Sequence, residues 1–146
     1  MSKSVAQMLF CACIMFNGSA NAFDLNGTWT ADDRNCDKVF VKKNNKISMT
    51  RNSGVFGGGF IVEGNQIRGQ AKTCKITSHK EEGGVLHLVA VCSTDIAVLG
   101  TQQVDAKIDS DDKITRLYPS FPEMGISFYR CSAAHGRPRG LLSRKS

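Results

Sequence analysis

Four cysteines, Cys36, Cys74, Cys92 and Cys131, constrain this chain more than any other feature, because a hairpin register fixes one pair of them. Residues 73–80 and 85–92 are two β-rich runs joined through Glu82-Gly83-Gly84. With Gly83 at the centre of the turn, Cys74 faces Cys92 and His79 faces His87. Directly opposed residues of an antiparallel pair have Cα atoms about 4.5 to 5.5 Å apart, which is within disulfide reach. Cys36 and Cys131 then pair by elimination, which fastens the beginning of the sheet to its end. The cysteine spacings of 38, 18 and 39 positions contain no close C-x-x-C pair of the kind a zinc knuckle needs.

Two disulfides require an oxidising compartment, and the N-terminus supplies a route to one. Lys3 is followed by an apolar stretch over residues 5–16 and by Ala20-Asn21-Ala22, a small-x-small cleavage pattern. Residues 1–22 therefore read as a secretory signal, with the mature chain starting at Phe23 in the periplasm or outside the cell. A transmembrane anchor would need about 20 consecutive apolar residues. Removal of the signal takes away Cys11 and Cys13 and leaves the even set of four.

The formal charge of +6 is unevenly placed. Residues 23–131 carry 14 Lys and Arg against 13 Asp and Glu, so the basic character belongs to residues 132–146, with Arg137, Arg139, Arg144 and Lys145. This segment mixes Gly, Pro, Ser and Arg without apolar periodicity and is expected to be a disordered basic tail, suited to anionic envelope components and lacking any specific nucleic-acid motif.

At 146 residues with 41% hydrophobic content, the chain holds one globular domain over residues 23–131. That domain reads as short β-rich runs separated by turn clusters. Asn44-Asn45 and Gly64-Asn65 mark two further hairpins, because Asn and Gly tolerate the positive φ of tight turns. A fourth hairpin joins residues 104–108 to 114–118, and residues 126–131 form the last strand. The expected fold is all-β: an antiparallel up-and-down barrel of about eight strands, disulfide-stabilised, with an open sandwich as the alternative. The alternation of Leu86, Leu88 and Ala90 with Val85, Val89 and Val91 leaves the inward face of the sheet open, and with it whether the barrel is filled or hollow.

Asp24-Leu25-Asn26-Gly27-Thr28-Trp29 resembles the opening of lipocalin and avidin-like (calycin-type) barrels, whose first strand carries Gly-x-Trp with the Trp closing one end. The resemblance implies that an Arg from the last strand, here Arg130, lies against Trp29. A guanidinium over an indole gains cation–π attraction and seals apolar surface. The chain is also similar to small periplasmic inhibitors built on such barrels.

Catalytic signatures are sparse. Gly57-Gly58-Gly59 lacks the Lys-Ser/Thr of a phosphate loop, no Gly-x-Ser-x-Gly occurs, and Asp109, Asp111 and Asp112 lack the Gly and Glu of an EF-hand. The expected function is that of an exported, non-enzymatic binding protein, with either a small apolar ligand in the barrel or a protein inhibited at its loops. Trp29, Arg130, Phe56 and Phe60 are the candidate ligand-binding residues. A second reading is a metal-binding protein or metal-dependent enzyme, with zinc or copper held by the facing His79 and His87 and by Glu81 on the same face as His79. A third is envelope interaction through the basic tail.

Overall fold

The computed structural model describes residues 22–132. All but the last residue of the expected signal, and all of the expected basic tail beyond Ser132, lie outside the described residues. Among the described residues ten strands form, β1 (Gly27–Thr30), β2 (Phe40–Lys43), β3 (Lys46–Met49), β4 (Gly59–Glu63), β5 (Gln66–Arg68), β6 (Thr73–Glu82), β7 (Val85–Ser93), β8 (Val98–Ser110), β9 (Lys113–Leu117) and β10 (Ile126–Cys131), with one short α-helix, α1 (Cys36–Val39).

Eight of the strands close into an antiparallel barrel in the order β1-β10-β9-β8-β7-β6-β5-β4. The barrel reading therefore holds and the open sandwich does not. Closure comes from β1, which pairs with β10 on one side, Trp29 opposite Arg130, and with β4 on the other, Trp29 opposite Phe60. A closed barrel leaves no edge strand to template association.

The β2–β3 hairpin forms its own two-stranded sheet outside the barrel. Its turn is as expected, with Asn44 and Asn45 both at positive φ, 48° and 63°. The first strand of this hairpin starts only at Phe40, because residues 36–39 make a single helical turn. That turn follows a short 3-10 segment (Asp33–Asn35) capped by Asp32, whose carboxylate accepts the Arg34 amide. It buries Val39 and brings Cys36 to Cys131. The segment between β1 and β4 thus lies over the outer face of the barrel, where Thr28, Thr30 and Ile61 are buried.

The glycine triplet has a steric cause. Gly57 and Gly58 take positive φ to end a 3-10 turn (Ser53–Phe56), and a Cβ on Gly59 would sit 2.2 Å from the Trp29 carbonyl oxygen. Only glycine lets β4 approach β1 this closely.

Both disulfides form as expected, Cys36–Cys131 and Cys74–Cys92. Cys74 stands opposite Cys92 in the β6–β7 ladder, but the register then shifts between Ile76 and Ser78. Thr77 is the extra residue of this bulge, and its hydroxyl donates to the Val89 carbonyl at 3.1 Å. Beyond it His79 faces Leu88 and His87 faces Lys80. Since a one-residue slip moves side chains to the other face, the two histidines point away from each other. The facing pair on which the metal reading rests is not formed.

Candidate ligand-binding site

The inward face of β7 is Leu86, Leu88, Ala90 and Cys92, all at most 5% exposed. Along it two leucines at the closed end give way to Ala90 and Cys92 toward the other end, and Ala90, with Ala106 on β8, leaves space that bulkier side chains would fill. The result is a hollow barrel. An interior cavity of about 330 Å³ is walled by Phe60, Ile67, Leu88, Val104, Ile114 and Phe128, among other apolar side chains. The Cys74–Cys92 disulfide is part of this wall. A cavity of this size suits one small ligand.

The two ends of the cavity differ. Its floor is Leu25, Leu86, Ala106 and Ile114, and below these the barrel is closed by Trp29, which is fully buried. The Trp29 indole N–H donates to the Leu25 carbonyl at 2.9 Å, which holds the N-terminal segment across the barrel end. Trp29 stacks on Phe60, and Phe60 meets Phe128 edge-on with centroids 5.1 Å apart.

Beneath Trp29 the Arg130 guanidinium lies 4.3 Å from the indole centroid, the placement that the resemblance implies. Arg130 also donates to the carbonyls of Asn26, Asp24 and Asp111, so it ties the N-terminal segment to the β8–β9 turn. Asp24 accepts the backbone amide and side-chain amide of Asn26 and feels Arg130, and these hold its carboxyl below the usual carboxylate range. Phe23 packs on Trp29, and its amide donates to Glu81 at 3.0 Å.

The other end is open. Gly59, Gly69, Lys72, Gln102 and Arg116 line the mouth. Arg116 lies over the Tyr118 ring at 4.8 Å, and among the described residues neither it nor Lys72 is ion-paired with a carboxylate. The mouth therefore offers two cationic groups and an amide above an apolar well. Such an arrangement can hold a molecule with a hydrocarbon body and an anionic or hydrogen-bonding head.

Of the four candidate ligand residues, Phe60 lines the cavity and Trp29 lies directly behind it. Arg130 serves the closed end. Phe56 sits on the flank beneath Lys38, whose ammonium is 5.3 Å from its ring, and is not part of the cavity wall.

The candidate metal residues are dispersed. His79 borders a separate hollow of about 230 Å³ beside Phe23, His87 bonds Asp105 at 2.7 Å on the outer face, and Glu81 accepts the Phe23 amide. Among the described residues no group of three or more potential ligands comes together.

Lys72, Gln102 and Arg116 carry the polar end of the site and do not stand out in the sequence. Their signal is a parity one: each is a long polar residue at a position whose neighbours two along face inward, as with Arg116 after Ile114 and Gln102 before Val104. Comparison with protein-family models, with curated proteins and with solved structures finds no match for this chain.

Proposed function

We propose that this protein is an exported binding protein that carries one small amphipathic molecule, with its apolar body in the barrel and an acidic head at Lys72 and Arg116. The observation that supports this most is the 330 Å³ apolar cavity with those two cations at its mouth. A well-packed interior leaves few voids larger than a water molecule, so a hollow of this size calls for an occupant. Burial of apolar surface would supply the affinity, and the charged head would set the orientation.

Export fits the two disulfides, which persist in oxidising compartments. Cleavage after Ala22 would leave Phe23 as the first residue of a segment already tied to Glu81 and Trp29.

The test is native mass spectrometry of the protein recovered from an oxidising compartment without added ligand. The expected species begins at Phe23, is lighter by four hydrogens and carries a bound acidic lipid-like molecule. An Ala90→Phe variant, which fills the cavity, should be recovered without it. Recovery of both proteins with nothing bound, followed by no uptake from a panel of medium-chain carboxylates, would refute the reading.

A further inference from the structure

Among the described residues, eight large apolar side chains are well exposed, and seven of them belong to the open end or the turns beside it; only Val91 does not. Ile96 and Val98, at the β7–β8 connection, are 95% and 76% exposed. Phe121 and Met124, in the β9–β10 connection, are 61% and 62% exposed. Val55 projects from the 3-10 turn beside the β5–β6 connection, where the Gln70 side chain donates to the Arg51 carbonyl. Scattered surface apolar residues need no explanation, whereas a ring of them on separate loops around a cavity mouth does.

Charge separates the same two ends. The open end presents Arg51, Lys72 and Arg116 against Asp95 and Glu123. The three turns at the closed end carry Glu63, Glu81, Glu82, Asp109, Asp111 and Asp112 against Lys80, Lys107 and Lys113. The field of such a molecule turns its open end toward a negative surface.

We infer that the open rim docks on an anionic phospholipid bilayer, with Ile96, Val98, Phe121 and Met124 entering the headgroup region while Arg51, Lys72 and Arg116 meet lipid phosphates. Short apolar protrusions surrounded by cations suit this interface, where buried apolar area and attraction to anionic lipid add. Docking in this pose places the cavity mouth against the membrane, so an acidic amphiphile could pass between bilayer and barrel without crossing water. That purpose rests on the proposed ligand; the docking itself does not, and it is independent of the basic tail.

The experiment is co-sedimentation of the exported full chain with vesicles of phosphatidylcholine alone and with about one third phosphatidylglycerol. Three variants accompany it: Ile96→Ser with Phe121→Ser, replacement of Arg137, Arg139, Arg144 and Lys145 by Gln, and Ala90→Phe. The rim positions are exposed, so the rim variant should keep the wild-type melting temperature. Wild type should bind the anionic vesicles more tightly than the neutral ones. The rim variant should lose roughly tenfold or more in partitioning, as expected for withdrawing two large apolar side chains, and the tail variant should retain the rim-dependent part.

Ala90→Phe should still sediment while losing its ligand, which separates failure of the docking surface from failure of the ligand reading. No vesicle binding by the wild type, or binding abolished by the tail variant and untouched by the rim variant, would overturn the inference. So would a wild-type dimer that the rim variant converts to monomer, since the rim would then be covered by a second copy of the chain.

Discussion

The closed and open ends of this barrel are built from opposite materials. At the closed end every strong group is matched: Trp29 has its N–H on Leu25 and its face on Arg130, and Arg130 in turn satisfies three backbone carbonyls. At the open end two cations stand over an apolar well and large apolar side chains face water. The first arrangement lowers the energy of the folded chain by itself; the second leaves apolar surface and cations facing water, which is what the proposed ligand and membrane contact would cover. Substitutions at the two ends should accordingly separate stability from binding.

The largest effect is expected from the link that closes the long loop. Cys36 and Cys131 are 95 residues apart, and replacing both with Ser should cost about 4.5 kcal/mol on a loop-entropy estimate. Replacing Cys74 and Cys92, 18 residues apart, should cost about 3 kcal/mol. Urea denaturation of the two double variants checks the order, and equal losses would mean that the short bridge, which also walls the cavity, contributes through packing as well.

Next in size is Trp29→Ala, expected to cost about 3 to 4 kcal/mol, because it empties the fully buried plug of the closed end. Arg130→Met keeps some of the bulk over the indole but strands the carbonyls of Asp24 and Asp111, for an expected loss of about 2 kcal/mol. Both should lower the thermal midpoint. If either left it unchanged while abolishing ligand uptake, the assignment of the two ends would be reversed.

At the mouth, Lys72→Gln with Arg116→Gln should leave the melting temperature within about 1 °C, since surface substitutions away from buried networks rarely matter. Affinity for a medium-chain carboxylate should fall at least tenfold, the equivalent of one lost charge-assisted hydrogen bond. Calorimetric titration alongside the thermal scan reads both quantities.

The smallest effect concerns acid. The Asp24 carboxyl is held low by hydrogen bonds from Asn26, and that of Asp109 by the Thr115 hydroxyl and then by Lys107. A carboxyl with a lowered folded pKa stabilises the protein above its ordinary range, and that contribution is lost as pH falls through the folded value. Thermal midpoints should therefore decline modestly below about pH 4. Asp24→Asn should flatten part of that decline, since it removes one titrating group from the closed end.

Much of the closed end was legible in the sequence because its signals are local. Gly83 and Gly84 both take positive φ, which sets the β6–β7 turn and hence Cys74 opposite Cys92. Gly27 and Trp29 marked the strand that closes the barrel. The bulge at Thr77 was illegible for a physical reason: the run Lys75 to Glu82 is mostly polar, so a change of parity after Ile76 breaks no apolar alternation. The expectation of a facing His79 and His87 failed on that one residue.

The open end was harder to read. β8 runs from Val98 to Ser110, but its first half, with Gly100 at positive φ and Thr101-Gln102-Gln103 following, has no strand-like apolar pattern. Its regularity comes from pairing with β7 along its length, a tertiary effect. The cavity depends on the summed volumes of residues from all sides of the barrel, and no local window contains Ala90, Ala106 and Gly69 together.

The most direct test of the account is a calorimetric titration of the delipidated protein with matched medium-chain amphiphiles that differ only in head group: a carboxylate, an alcohol and an amine. One carboxylate per barrel is expected, bound at least about tenfold more tightly than the alcohol, with the amine weakest, and with a negative heat-capacity change from apolar burial. Equal affinities for the three heads would mean that Lys72 and Arg116 do not select the head, and saturable binding that survives Ala90→Phe would place the ligand outside the barrel; either result would contradict the proposal.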